Sequence, residues 1–143
     1  MKIQKKVYNI GVGGINMAIE WIMPKDTLGT VTFYDTNITL NKVAASYFVD
    51  AYKVIIGIDK EKNRVVIKNL NKEEATRGDI NKNHLLDVAI KKSYGRISSK
   101  KVISDIAAVT SFDFKNSNNF KYKATWSSNE KMLVIELNEE VNA

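Results

Sequence analysis

Tyr52-Lys-Val-Ile-Ile-Gly-Ile58 and Phe120-Lys-Tyr-Lys-Ala-Thr-Trp126 are two stretches of one design, alternating large apolar residues with others in the pattern of a half-buried strand. A polar turn follows each, Asp59–Arg64 in the first and Ser127–Lys131 in the second, and then an apolar run, Val65–Ile67 or Leu133–Ile135. The sequence therefore predicts two β-hairpins, related without a gap by an offset of 68 residues.

Upstream of each hairpin the likeness continues. Asn41–Phe48 and Ser99–Ile106 both open on a residue type that caps helix N-termini, and each predicts a short helix. The offset here is 58, so the second copy carries about ten more residues, the Ser/Asn-rich loop Thr110–Asn119, between helix and hairpin. Before each helix lies an extended segment: Thr30–Tyr34, a turn at Asp35–Asn37 and Ile38–Leu40 in the first copy. In the second these are Leu86–Ile90, a turn through Ser93–Arg96 and Ile97. One such unit of about forty residues could hardly bury its own core, which favours two units on a shared β-body.

The fold class expected is α+β: two tandem strand-turn-strand-helix-hairpin units sharing an antiparallel β-body, plus an N-terminal strand and helix. Residues 1–29 hold that N-terminal pair, a strand within Lys2–Val12 and a helix carrying Ile15, Ala18, Ile19 and Ile22 up to Pro24. Residues 30–70 are the first unit and 71–84 a connector with one helical turn at Lys72–Ala75. Residues 85–143 are the second unit, and the whole is one compact domain.

Composition narrows the function classes. With 44% hydrophobic and 27% charged residues among 143, and no cysteine, the chain is neither disordered nor a disulfide scaffold. The lysine-led N-terminus fails as an export signal, because Asn9, Asn16 and Glu20 break its apolar run, and no stretch is long enough to span a bilayer. A cytoplasmic protein with no membrane partner is the expectation. A single histidine, His84, with no cysteine leaves no thiol nucleophile and no multi-histidine metal site, so no enzyme, metal or cofactor is expected; His84 reads as a strand-edge residue. Gly11-Val12-Gly13-Gly14 has Asn16 where a dinucleotide loop needs its third glycine, and reads as a tight turn.

The net charge of +6 is mostly lysine, with arginine only at Arg64, Arg77 and Arg96. Its densest stretch is Lys91-Lys92-Ser-Tyr-Gly-Arg96-Ile-Ser-Ser-Lys100-Lys101, with no acid between Asp87 and Asp105. Cations on a turn and at a helix start are suited to holding a phosphate backbone.

In the second unit, Gly95-Arg96-Ile97-Ser98-Ser99-Lys100-Lys101 resembles the Gly-Arg, apolar, Pro-Lys lead into the helix of the AbrB/MraZ swapped-hairpin transcription factors. Ile38-Thr39-Leu40-Asn41-Lys42 is similar in the first. The chain departs from that pattern in three places: the proline is absent from both units, Gly-Arg is absent from the first, and the second has one residue fewer before Lys100. The resemblance implies two interlocked units presenting basic residues to double-stranded DNA, as in a small bacterial or phage regulator, with a homodimer as an option. Lys42, Lys91, Lys92, Arg96, Lys100 and Lys101 are the residues placed against phosphates. The alternative is a protein-binding module or inhibitor that offers a protein partner an exposed sheet edge or the Phe112/Phe114 loop. Exposure of Phe112 and Phe114 favours that partner, and burial makes them an internal anchor.

Overall fold

The structure, a computed structural model, describes residues 7–12, 15–24 and 27–141. It is a mixed α+β fold, mostly antiparallel sheet, with three α-helices among the described residues and a large sheet curled into a half-barrel. Among the described residues, strands β1 (Val7–Val12) and β2 (Ile15–Glu20) pair only with each other. Next come β3 (Gly29–Tyr34), β4 (Asn37–Asn41), helix α1 (Lys42–Ser46), β5 (Lys53–Asp59) and β6 (Arg64–Leu70). After helix α2 (Lys72–Thr76) and a 3-10 turn at Lys82–His84, the chain forms β7 (Ala89–Ile90), β8 (Tyr94–Ser98), helix α3 (Lys100–Val109), β9 (Asn119–Ser127) and β10 (Met132–Glu140). The large sheet runs β5-β6-β10-β9-β3-β4-β8-β7, antiparallel throughout.

Both hairpins read from the sequence form, and in one register. Lys53–Asp59 pairs with Leu70–Arg64, and Ala124–Ser127 pairs with Ile135–Met132 at the same offset of 68. Their turns share a left-handed residue at equivalent places, Asn63 at φ 54° and Lys131 at φ 55°. Two hydrogen bonds repeat as well: Asn69 N donates to Lys131 O at 2.9 Å, and Leu137 N to Asn63 O at 3.1 Å.

The inner face of the curled sheet carries the core. Val31, Phe33, Ile38, Leu40, Val65, Ile67, Leu133 and Ile135 are essentially fully buried, by the two-residue period that sends alternate side chains to one face. Ala44 and Ala45 of α1 and Ile103 and Ile106 of α3 complete it. The sheet nearly meets itself. Leu86 exchanges both backbone hydrogen bonds with Val54 of β5 at 2.9 Å, while Ala89 and Ile90 pair with Arg96 and Gly95 of β8.

The structure corrects four expectations. Ile15–Glu20 is a strand of a hairpin, not a helix; besides its helical spacing the segment carries the alternation Ile15, Met17, Ile19, Trp21, and pairing with β1 satisfies that pattern. Gly13 and Gly14 lie outside the described residues. The leading strand of the second unit shrinks to Ala89–Ile90, with Leu86 making its separate bridge. Arg96 is in mid-strand, because the turn closes earlier, where Lys91 N donates to Tyr94 O at 2.8 Å. His84 sits exposed in the 3-10 turn, not at a strand edge. No described helix is long and apolar enough to cross a membrane.

Candidate nucleic-acid interface

The basic stretch is assembled from a turn, a strand and a helix start. Lys91 and Lys92 occupy the exposed turn between β7 and β8, Arg96 is central in β8, and Lys100 and Lys101 open α3. Glycine precedes Arg96 for a packing reason: a Cβ on Gly95 would lie 3.1 Å from Ala45 Cβ and 3.1 Å from Ile90 Cδ1. Helix α1 therefore lies directly on β8, and the alternation turns the next side chain, Arg96, to the exposed outer face.

Antiparallel pairing adds residues far away in sequence. β4 and β8 form a ribbon in which Asn37 faces Ser98, Thr39 faces Arg96 and Asn41 faces Tyr94. Lys42, which follows Asn41, thus falls at the same end of the ribbon as Lys91 and Lys92, and Lys100 beyond the other, the five-residue ribbon between them being roughly 17 Å long at about 3.4 Å per residue. The Asn41 side chain fixes the Lys42 end. Its Oδ1 accepts from Ala44 N at 2.9 Å as the cap of α1 and from Thr30 N at 3.1 Å, and its Nδ2 donates to Leu28 O at 2.8 Å.

The charge on this ribbon is uncompensated. Among the described residues, Lys42, Lys91, Lys92, Arg96 and Lys100 form no ion pair. Some cations elsewhere are tied: Arg64 lies 3.7 Å from Glu136, Arg77 3.2 Å from Asp79, Lys131 3.2 Å from Glu74, while Lys60, Lys62, Lys72, Lys82, Lys115, Lys121 and Lys123, scattered over other elements, likewise form no ion pair among the described residues. Lys53 binds Asp87, and that hydrogen bond raises the lysine above its ordinary pKa. Lys101 belongs with the tied group, 2.8 Å from Asp105 one helical turn on. The Arg96 guanidinium lies 5.3 Å from the centre of the Tyr94 ring, a cation–π contact that holds the side chain without neutralising it.

Around Arg96 the outer face forms two adjoining shallow depressions of about 400 Å³ each. One is lined by Tyr34, Asn37, Thr39, Tyr94 and Arg96, the other by Thr36, Asn37, Arg96, Ser98, Ser99 and Lys100. Sequence reasoning missed Tyr34 and Asn37 as neighbours of Arg96. Only the β3–β4 turn and the β4–β8 register bring them there.

The Phe112/Phe114 loop resolves by burial. Phe112 is 8% exposed, stacked on Phe120 at 4.7 Å and 5.1 Å from Phe33, while half-buried Phe114 meets Phe112 and Phe120 edge-on at 6.0 and 5.3 Å. Phe112 is an anchor that ties the long helix–hairpin loop to the core, which corrects its assignment to a partner surface. Compared with known proteins, the chain matches no family model, no curated protein and no solved structure.

Proposed function

We propose that the chain is a small DNA-binding regulatory protein, built from two tandem units in the manner of the AbrB/MraZ swapped-hairpin factors, whose β4–β8 ribbon meets the phosphate backbone. The observation that carries this is the run of unpaired cations, Lys42, Lys91, Lys92, Arg96 and Lys100, along one ribbon with no acid in either strand. The two-unit reading has support in topology. When β3–β6 is exchanged with β7–β10, and the Val54–Leu86 bridge is counted as the contact that closes the ring, the cyclic strand order maps onto itself. Registers follow the same exchange: Thr39↔Arg96 stands at the centre of the β4–β8 ribbon and Val66↔Val134 at the centre of the β6–β10 pair.

Phosphate binding releases counterions, so log K should fall with log salt by about 0.9 for each phosphate contacted on duplex DNA. The test is fluorescence anisotropy on random-sequence duplex over a salt series, with the variant Arg96→Ala/Lys100→Ala/Lys101→Ala beside wild type. The expected outcome is a slope flatter by roughly 2 in the variant, about 0.9 each from the unpaired Arg96 and Lys100, and a nearly unchanged melting temperature, since exposed substitutions cost about 0.5 kcal/mol or less each. Absence of duplex binding by wild type at low salt rejects the reading. It would promote a protein-binding module at the β5 edge, where among the described residues only Val54 has a backbone partner on its outer side.

A further inference from the structure

The two depressions beside Arg96 differ in chemistry, and the difference has the order of a nucleotide. One is lined by two tyrosines, Tyr34 and Tyr94, with Thr39 and Asn37; the other by Thr36, Ser98, Ser99 and Lys100. Arg96 and Asn37 belong to both. We infer that this pair of depressions binds an unpaired nucleotide of a single-stranded nucleic acid, the base against Tyr94 and Tyr34 and its phosphate against Lys100 and the serines, with Arg96 between. The inference rests on the phosphate-binding reading of the ribbon and adds to it that the preferred strand is single.

Three observations argue for an unpaired base. First, these two rings take no part in the aromatic packing of the core. Tyr47 stacks on Trp126 at 4.8 Å and Tyr122 is 4% exposed in the core, but Tyr34 and Tyr94 are half-exposed, touch no other aromatic ring and spend no hydroxyl hydrogen bond within the described residues. Second, Arg96 lies over Tyr94 with no acid beside it. A guanidinium in that position keeps donors free for a phosphate or a base edge. Third, each depression is shallow and of about 400 Å³, at the small end of ligand sites, the scale of a nucleotide unit and not of a groove-filling helix. A base within a duplex has its faces covered by its neighbours, so only an unpaired one can stack on a side chain.

The test uses the full chain and three probes at one salt concentration: a labelled twelve-nucleotide thymidine strand, a duplex of the same length, and free thymidine monophosphate as competitor. The single strand is expected to bind at least about 10-fold tighter than the duplex. Tyr34→Leu and Tyr94→Leu should each weaken single-strand binding by roughly 10-fold while leaving duplex affinity and its salt slope in place, and Tyr94→Phe should retain wild-type affinity. A strand carrying 2-aminopurine should lose fluorescence on binding wild type, a readout that depends on no variant folding. Equal affinity for strand and duplex with silent tyrosine variants overturns the inference and leaves the phosphate reading standing. No binding of either probe overturns both. Displacement of the strand by submillimolar thymidine monophosphate overturns the assignment to a strand and makes the free nucleotide the ligand.

Discussion

Tyr122 shows how a single residue ties this fold to pH. Its ring sits between Phe33 at 6.0 Å and Phe112 at 5.7 Å, 4% exposed, and its hydroxyl makes no hydrogen bond to a described residue. Burial, with a smaller push from Glu140, raises its pKa from 10.0 to about 12. A phenol harder to ionise in the folded state contributes stability that is complete below pH 10 and lost as pH rises through 12. The shift corresponds to at most about 2 to 3 kcal/mol. Urea unfolding of wild type should therefore give a free energy that declines from pH 10 to 12, and Tyr122→Phe should be nearly as stable at pH 7 and lack that part of the decline. An identical decline in Tyr122→Phe would assign the loss to other groups. Arg96 is the opposite kind of residue, exposed and replaceable for stability, with its position owed to Gly95 beneath α1.

At the scale of elements, the hairpins repay attention because their turns are matched. Asn63 and Lys131 both take the left-handed conformation, which asparagine tolerates and lysine does not favour. Lys131→Gly should raise stability by up to about 1 kcal/mol, less a few tenths for the exposed pair with Glu74, and Lys131→Val should cost more than about 1 kcal/mol. Asn63→Gly should change little, since Asn63 already suits the backbone and its Nδ2 donates to Asn138 at 2.8 Å. Urea midpoints decide it, and a glycine variant less stable than the valine one would refute the turn argument. These hairpins, the cap residues Asn41 and Ser99 and the helical turn after Asn71 were legible in the sequence because each is a local pattern of a few residues. The N-terminal strand was not legible because Ile15, Ala18, Ile19 and Ile22 follow the helical period, and only pairing with Val7–Val12 selects the strand. The cations of the site were legible as a run of charge, but its pair of tyrosines was not. Tyr34 and Tyr94 are sixty residues apart in the chain and meet Arg96 through strand registers that no local pattern encodes.

For the whole molecule, the two seams that join one half of the sheet to the other are unequal. On one side β3 and β9 pair over six residues, Gly29↔Ala124 to Tyr34↔Asn119, behind which lie Val31, Phe33, Tyr122 and Ala124, all buried. On the other, a single bridge, Val54↔Leu86, stands next to a two-residue strand. Opening the first seam exposes core and breaks a full ladder. Opening the second breaks two backbone hydrogen bonds, each contributing about 1 kcal/mol net, and the Lys53–Asp87 ion pair, and uncovers one fully buried residue, Val54, with half-buried Leu86 and Val88. Sub-global opening takes the path with the least buried apolar surface, so the half-barrel should open at β5 and Leu86 while the β6-β10-β9-β3 centre stays closed. Native-state hydrogen exchange reads this directly. The amides of Val54 and Leu86, bonded to each other's carbonyls, should exchange roughly 100-fold or more faster than those of the β3–β9 ladder, which should exchange only on global unfolding. The contrast should persist in the Arg96→Ala/Lys100→Ala/Lys101→Ala variant, whose substitutions lie on the outer face and at the α3 start, away from both seams. Equal protection at Leu86 and in the β3–β9 ladder would mean that the sheet opens as one unit, and that the single bridge closes the ring as firmly as six pairs do.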